Sequence, residues 1–476
     1  MLKYPQMPVS SLKGVKHVYF LGIAGQLMSA LACVAKDFGF RISGSDDHAY
    51  SPATDYLKKH RIPYTEGHRP ENVSRPDLIV LGNHIRPDNP ELLHVLKHRL
   101  PLVSYPQMVR LLFPAAKYRL VVAGTHGKST TTSLLGWILD QAGLNPTVLI
   151  GARSQNFRSS FRLGGKDLLV IEGDEYTSSC LDATPKFLYY RPTHAILTSI
   201  ELDHVDIFDT WTKQADAFSK FAATVSRNLL LCGDTLNESA LKLTTRARIE
   251  KYGLGNFDWQ AVNITVKDGH TLFDVLHDSR FVGKFVSPLA GTHYVQDVLS
   301  AIALASSLGV SPASIAKSLA TFKGVGQRFE IVSDRHGAIV ISDYAHHPTA
   351  IKATLEATKA RYPGQRLWAV YEPHTFTRIK GLLPQFAHSF DSAEQTVIAD
   401  IFPARENALA GLVHAKDIVA AANSHPGIRY IATPDAVLEH LKTRLQKGDV
   451  VLIMAVGKFG ELAQKLAGHL KSHPLK

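Results

Sequence analysis

Short apolar runs alternate along this chain with longer stretches in which apolar positions return every three or four residues. HVYFLGIAG (17–25) leads into QLMSALACVAKDFG (26–39), and YRLVVAGTHGKS (118–129) leads into TTTSLLGWILDQAG (130–143). In each pair the continuous apolar run predicts a strand buried on both faces, and the helix-period segment predicts a covering helix. Further strands are predicted in DLLVIEGDE (167–175), HAILTSIELDH (194–204), AIVISDYAHH (338–347), RLWAVYEPH (366–374), QTVIADIF (395–402) and DVVLIMAVG (449–457). Apolar strands alternating with helices predict an α/β protein with mainly parallel sheets covered on both faces. One stretch departs from this pattern. Between Glu250 and Ser287 the segments AVNITVKD and HTLFDVLHD alternate residue by residue, which predicts a small antiparallel patch inside a middle domain.

A chain of 476 residues is too long for one ordinary core. Breaks fall near Phe113–Lys117, where a helix is expected to end at Pro114, and at the glycine-rich Gly324–Arg328 after SPASIAKSLATF. They divide the chain into three expected domains, 1–113, 114–326 and 327–476. No low-complexity tract or short-period repeat intervenes. No apolar run approaches the roughly 18 residues that cross a bilayer, and Val18–Ala24 runs straight into a glycine turn, unlike a signal peptide. Cys33, Cys180 and Cys232 are too scattered for a disulfide frame or a zinc site, so the chain reads as cytoplasmic, with no membrane insertion. The formal charge of +11 is spread without a basic block or stripe. That argues against nucleic acid and for small anionic substrates. Oligomeric state has no signal here.

The sharpest chemical signal is Gly124–Thr131, GTHGKSTT, between a predicted strand and a predicted helix. Gly124 and Gly127 let backbone N–H groups close on phosphate, and the helix N-terminus adds its positive dipole end. Lys128 is suited to the β and γ phosphates and the Ser129 hydroxyl to magnesium, which makes this an ATP-using enzyme. Val122 stands where the longer form of this loop has glycine, so the match is to the shorter G-x-x-G-K-S. Two later strand ends carry acidic clusters, Glu172-Gly173-Asp174-Glu175 and Glu201-Leu202-Asp203-His204. Magnesium takes oxygen ligands, and Glu172 and His204 are the expected partners of Ser129.

The order of these segments resembles the Mur ligases, ATP-dependent amide-forming enzymes of peptidoglycan synthesis, over nearly the whole chain. The resemblance rests on FLGIAGQLMSALA with SGSD at 43–46, AGTHGKSTTT, IEGDEY, ILTSIELDHVD, LAGTHYVQDVLSAIA, GQRFE, SDYAHHPTAI and YEPHTFTR. It implies a Rossmann-like N-terminal domain for a UDP-sugar, a P-loop ATPase-like central domain, and a Rossmann-like C-terminal domain for the amino substrate. ATP would phosphorylate a carboxylate, and an amine would displace the phosphate. By this resemblance Gly22, Gly25, Ser45, Asp46 and Asn83 meet the UDP-sugar. Gly124, Thr125, His126, Gly127, Lys128, Ser129, Thr130, His293, Arg328 and Asp343 meet ATP. Ser129, Glu172 and His204 hold Mg2+, while Lys128, His204 and His347 serve catalysis. His346, His374 and Arg378 meet the amino substrate, the arginine through bidentate pairing with its carboxylate.

Where the family has glycines, asparagines and a further arginine, this chain has Ala24 and Leu27, Ser199, Tyr294 and Asp297, and Thr375. Within the family, the N-terminal half resembles enzymes that join a recycled L-Ala-γ-D-Glu-diaminopimelate tripeptide to UDP-N-acetylmuramate. The C-terminal domain, which reads the amine, resembles those that join L-alanine, and it sets the expected substrate pair as UDP-N-acetylmuramate and L-alanine. A non-catalytic nucleotide-binding relative is the reading from another class. The substitutions at Ser199, Tyr294 and Asp297 motivate it, and the retention of Lys128, Glu172, His204 and the His346-His347 pair opposes it.

Overall fold

The computed structural model describes residues 9–203, 207–208, 210–236, 241–404, 406, 411–422 and 425–475, apart from the side chain at 458. It separates into two compact units, Met1–Ile200 with Thr212–Gln260 and Leu299–Ser318, and Glu201–Trp211 with Ala261–Val298 and Leu319–Lys476.

The first unit opens with β1 (His17–Leu21), α1 (Gln26–Asp37), β2 (Arg41–Asp46), α2 (Ala53–Lys59), β3 (Tyr64–Glu66) and β4 (Leu78–Leu81). It continues through α3 (Pro90–Lys97), β5 (Leu102–Ser104) and α4 (Tyr105–Leu112). These strands form one parallel sheet in the order β3-β2-β1-β4-β5. Every residue of β1 and β4 is buried, as continuous apolar runs demand. Tyr19, Leu21, Ile79, Leu81, Leu92 and Val95 form a core on one side of this sheet. Asn89 starts α3 by accepting from the N–H groups of Glu91 and Leu92, with Pro90 at the first helical position.

Next come β6 (Tyr118–Ala123), α5 (Lys128–Gln141), β7 (Thr147–Ser154), β8 (Ser159–Arg162) and β9 (Leu168–Gly173). The small hairpin β10 (Thr177–Ser179) and β11 (Asp182–Pro185) precedes β12 (His194–Leu197), α6 (Trp211–Ala223), β13 (Asn228–Cys232) and β14 (Arg248–Gly253). In this unit the larger sheet runs β14-β13-β12-β6-β9-β7-β8, parallel except at β8. Central β6, between β12 and β9, delivers its C-terminal end to the phosphate loop.

β15 (Trp259–Lys267) starts parallel to β14, and β16 (His270–His277) and β17 (Arg280–Ser287) form an antiparallel hairpin in the second unit. The expected patch is therefore antiparallel only in part. Alternation marks a half-exposed strand, here with Val266 and Phe281 in water, but says nothing about the direction of its neighbour. By their contacts residues 261–298 fall in the second unit. After α7 (Thr292–Ser307) and α8 (Pro312–Ala320) come β18 (Glu330–Ser333), β19 (Ile339–Asp343), α9 (Pro348–Arg361), β20 (Leu367–Tyr371) and α10 (Phe376–Phe386). The chain closes with β21 (Gln395–Ile398), α11 (Ala415–Ala421), β22 (Ile428–Tyr430), α12 (Pro434–Arg444), β23 (Val450–Met454) and α13 (Leu462–Ser472). Their sheet order is β18-β19-β23-β20-β21-β22, with only β18 antiparallel. Trp368, Val370, Val451, Ile453 and Leu466 lie in its core, and the Trp368 indole N–H donates to Asp449, which also pairs with Arg366.

Among the described residues no helix is long and apolar enough to cross a membrane. The three cysteines are free thiols, Cys33 and Cys232 buried and Cys180 half-buried. Burial pushes the Cys33 thiol up to about 12 and raises the other two.

Candidate active site

The phosphate loop is shaped from beneath by the residues that follow β12. Thr125 N–H donates to the Ser199 carbonyl at 2.8 Å, His126 N–H to the Ser199 hydroxyl at 3.0 Å, and the Thr198 hydroxyl to the His126 carbonyl. Gly124 adopts φ +137°, and a Cβ there would lie 2.1 Å from the Thr198 hydroxyl, so only glycine fits. Gly127, left-handed at φ 78°, turns the chain into α5, whose first turn carries Lys128, Ser129 and Thr130. Ser199, a departure from the family asparagine, thus has a definite role in setting the loop.

Lys128 Nζ donates to the Gly124 carbonyl at 2.6 Å and lies 3.1 Å from Glu175, which is wholly buried. Burial works against its charge, but Glu175, Glu172 and Asp174 outweigh that and raise its pKa. Ser129 Oγ donates to Glu172 Oε2 at 2.9 Å, and the same carboxylate accepts from Gly151 N–H at 2.7 Å. Two of the three expected metal ligands therefore meet. His204 lies outside the described residues. Glu175 was not among the expected site residues, although its place in the acidic run after β9 was the available signal.

At the N-terminal sheet, Gly22 (φ +87°) and Gly25 carry the chain from β1 into α1, and Asp46 at the end of β2 accepts from Ala24 N–H at 2.8 Å. Asn83 follows β4 in the neighbouring turn, where Gly82 N–H donates to the Leu21 carbonyl. Gly22, Gly25, Asp46 and Asn83 thus gather at one end of this sheet. The Ser45 side chain does not join them. Its hydroxyl is fully buried, donating to Glu91 Oε2 at 2.5 Å and lying 3.0 Å from His68 Nδ1. Successive strand residues face opposite sides, which separates Ser45 from Asp46. Glu91 also accepts from Tyr19 Oη, Arg69 N and Asn72 Nδ2 and lies 3.3 Å from His68. His68 in turn lies 3.6 Å from Asp47.

In the second unit the expected residues collect at the C-terminal ends of β19 and β20. Asp343 accepts from Phe329 N–H at 2.6 Å and Ala345 N–H at 2.7 Å, while the Arg328 guanidinium covers the Tyr344 ring at 4.1 Å. The His293 ring lies 4.2 Å from that of Tyr294, which is buried edge-on to Phe329. The tyrosine that replaces a family asparagine is thus a packing residue. His347 caps α9 and lies 3.4 Å from Glu201, and Thr349 Oγ1 donates to the same carboxylate at 2.8 Å. His346 lies edge-on to His374, and burial, assisted by Arg378, holds it well below its ordinary pKa.

Arg378 departs from expectation. It is buried, and its Nε and Nη2 donate to Asp203 Oδ1 at 3.0 and 2.7 Å while Nη1 lies 2.5 Å from His374 Nδ1. The fork expected to grip a substrate carboxylate is occupied by Asp203 and His374. Spacing along the sequence could not foretell that partner, which is 175 residues away.

Parallel strand ends presenting a phosphate loop, an acidic oxygen pair and a histidine cluster match a known pattern across the chain. Residues 17–116 match the description "Mur ligase family, catalytic domain", 122–305 "Mur ligase middle domain", and 327–457 "Mur ligase, glutamate ligase domain". A UDP-N-acetylmuramate–L-alanine ligase of Caldanaerobacter subterraneus subsp. tengcongensis is 35% identical over 95% of this chain and 98% of its own. Among solved structures, a UDP-N-acetylmuramate–alanine ligase of Thermotoga maritima superposes with TM-score 0.79 over 96% of this chain and 99% of its own; at 22% identity it establishes the shared fold. A murein peptide ligase of Psychrobacter arcticus superposes with TM-score 0.72 at 29% identity, covering 96% of this chain and 98% of its own. The chain belongs to the Mur ligase family.

Proposed function

We infer that this protein is an ATP-dependent ligase that joins L-alanine to the carboxylate of UDP-N-acetylmuramate through an acyl phosphate, releasing ADP and phosphate. The observation that carries this is full-length similarity to a relative of that activity, at 35% identity over 95% of the chain. The nucleotide sugar is assigned to residues 1–113 around Gly22, Gly25, Asp46 and Asn83. ATP is assigned to 114–326 and the amine to 327–476. A cytoplasmic site of action follows from the need for ATP.

Phosphorylation turns a poor leaving oxygen into a good one, and the protein's task is to hold charge and geometry. The N–H groups of the 124–130 loop and the start of α5 receive the triphosphate. Lys128 exchanges Glu175 for phosphate oxygens without leaving its turn. Ser129 and Glu172 are hard oxygen donors already 2.9 Å apart, a donor set that fits Mg2+ and not a softer metal. Held by Ser129 and Glu172, Mg2+ would supply positive charge against the charge of the moving phosphoryl group.

A second reading has its own support: the 29% identity to the Psychrobacter arcticus murein peptide ligase, which favours a tripeptide as the amine. Mass spectrometry of products separates the two, with ATP, magnesium and UDP-N-acetylmuramate and with L-alanine and L-Ala-γ-D-Glu-diaminopimelate offered together. Addition of alanine is expected. Addition of the tripeptide alone would replace the first reading with the second, and phosphate release indifferent to the nucleotide sugar would overturn both.

A further inference from the structure

One carboxyl in the strand-end cluster of the second unit has no task in the scheme above. Glu372 follows β20 directly, two residues before His374, and is only 8% exposed. Its Oε2 accepts from Gly457 N–H at 3.3 Å, a long bond that a neutral carboxamide would serve equally well. Gly457 is pressed so closely on Phe402 that a Cβ would come within 3.3 Å of the ring. Phe402 in turn stacks on His374 with centroids 5.9 Å apart. Phe402 is tied to the same turn, its N–H donating to the Pro373 carbonyl at 2.8 Å and its carbonyl accepting from Thr375 N–H at 3.0 Å. Glu372, Gly457, Phe402 and His374 therefore form one continuous wall.

Among the described residues no salt bridge reaches the Glu372 carboxylate, and only burial and the amides of Gly457 and Val456 act on it. The Tyr371 phenol feels the charge of Glu372, and His374 lies beyond Phe402. The nearby guanidinium of Arg378 is turned to Asp203 and His374. Burial, only partly offset by the amides of Gly457 and Val456, pushes the Glu372 carboxyl up to about 7. A buried acid so placed gains most from a ligand that brings its own positive charge.

We propose that Glu372 binds the ammonium group of the incoming amine and accepts its first proton. The proposal rests on the ligase reading and names the group that recognises the amine. An ammonium proton passes to a Glu372 oxygen, leaving R–NH2 and a neutral carboxylic acid. The nitrogen lone pair then forms the C–N bond to the acyl carbon, the C–O bond to phosphate breaks, and the remaining extra proton leaves with phosphate or to water. A carboxyl that titrates near neutrality suits that transfer.

The test uses the full chain carrying Glu372→Gln and Glu372→Asp. Two assays are needed: hydroxylamine trapping of the acyl phosphate without amine, and complete turnover from pH 5.5 to 9. Glu372→Gln should form hydroxamate at the wild-type rate. Its KM for the amine should rise at least about tenfold, and the rise of activity with pH near 7 should vanish, with Glu372→Asp restoring part of both. A Glu372→Gln enzyme with wild-type amine KM and an unchanged pH profile would overturn the proposal. Since the carboxamide has the charge and shape of the protonated acid, folding should be retained, and Glu372→Asp reports on the same pH limb if it is not. A wild type that yields no hydroxamate would instead defeat the ligase reading itself, and this proposal with it.

Discussion

Lys128 and Glu175 show how single residues tie stability to chemistry here. Glu175 is wholly buried, and Lys128 stands 3.1 Å from it. Removing the lysine alone strands a buried charge, so Lys128→Met should cost about 3–5 kcal/mol in denaturant unfolding as well as abolish turnover. Lys128→Met with Glu175→Gln should regain most of that stability while remaining inactive. Equal instability of the single and double variants would show that the pair is not coupled. Gly124 is constrained by shape rather than charge. Gly124→Ala drives a methyl into the Thr198 hydroxyl, and the resulting loop shift should lower kcat/KM for ATP about a hundredfold, read from steady-state kinetics. The need for glycine was legible in the sequence, since a tight phosphate loop requires one. That Thr198 and Ser199 enforce it was not, because they lie 72 or more residues further on.

Elements were more legible than the contacts between them. Continuous apolar runs marked β1, β9, β12 and β23 because both faces of each are buried. Alternation likewise found β15 and β16 but could not say that β15 begins parallel to β14, since pairing direction leaves no trace in one strand's own pattern. The join of β2, β3 and α3 was missed for a similar reason. Ser45 looked like a ligand residue, and only the fold brings it to Glu91 and His68. That join should respond to pH. Burial pulls His68 down, but the hydrogen bond and charge of Glu91 outweigh it and hold His68 above 6.5. Burial likewise opposes the Glu91 charge, yet bonds from His68, Ser45 and Asn72 keep that carboxyl below 4.5. The His68 contribution is therefore complete below pH 6.5 and is lost as pH rises through its raised pKa; that of Glu91 is lost on the acid side, below 4.5. The Tm advantage of wild type over His68→Gln should shrink as pH rises from about 6.5 to 9. A difference constant across that range would mean that His68 does not titrate as the contact requires.

At the scale of the molecule, the net charge of +11 belongs with the anionic substrates proposed for it. Long-range attraction is screened by salt, so kcat/KM for the nucleotide sugar should fall about threefold between about 50 and 250 mM salt while kcat stays level. A kcat that drops in parallel would place the salt effect in a later step. Composition made that charge legible, but it could not show that Arg378 spends its charge on Asp203. The thiols carry a consequence for experiment. Cys33, Cys180 and Cys232 are buried or half-buried and held as unreactive neutral thiols, so the native chain should take up maleimide slowly. Cysteines introduced at Tyr50 in the first unit and Phe281 in the second, both well exposed, would then be the preferred sites for a donor and an acceptor dye. Energy transfer between them would follow, in solution and in real time, what each nucleotide does to the distance between the two units.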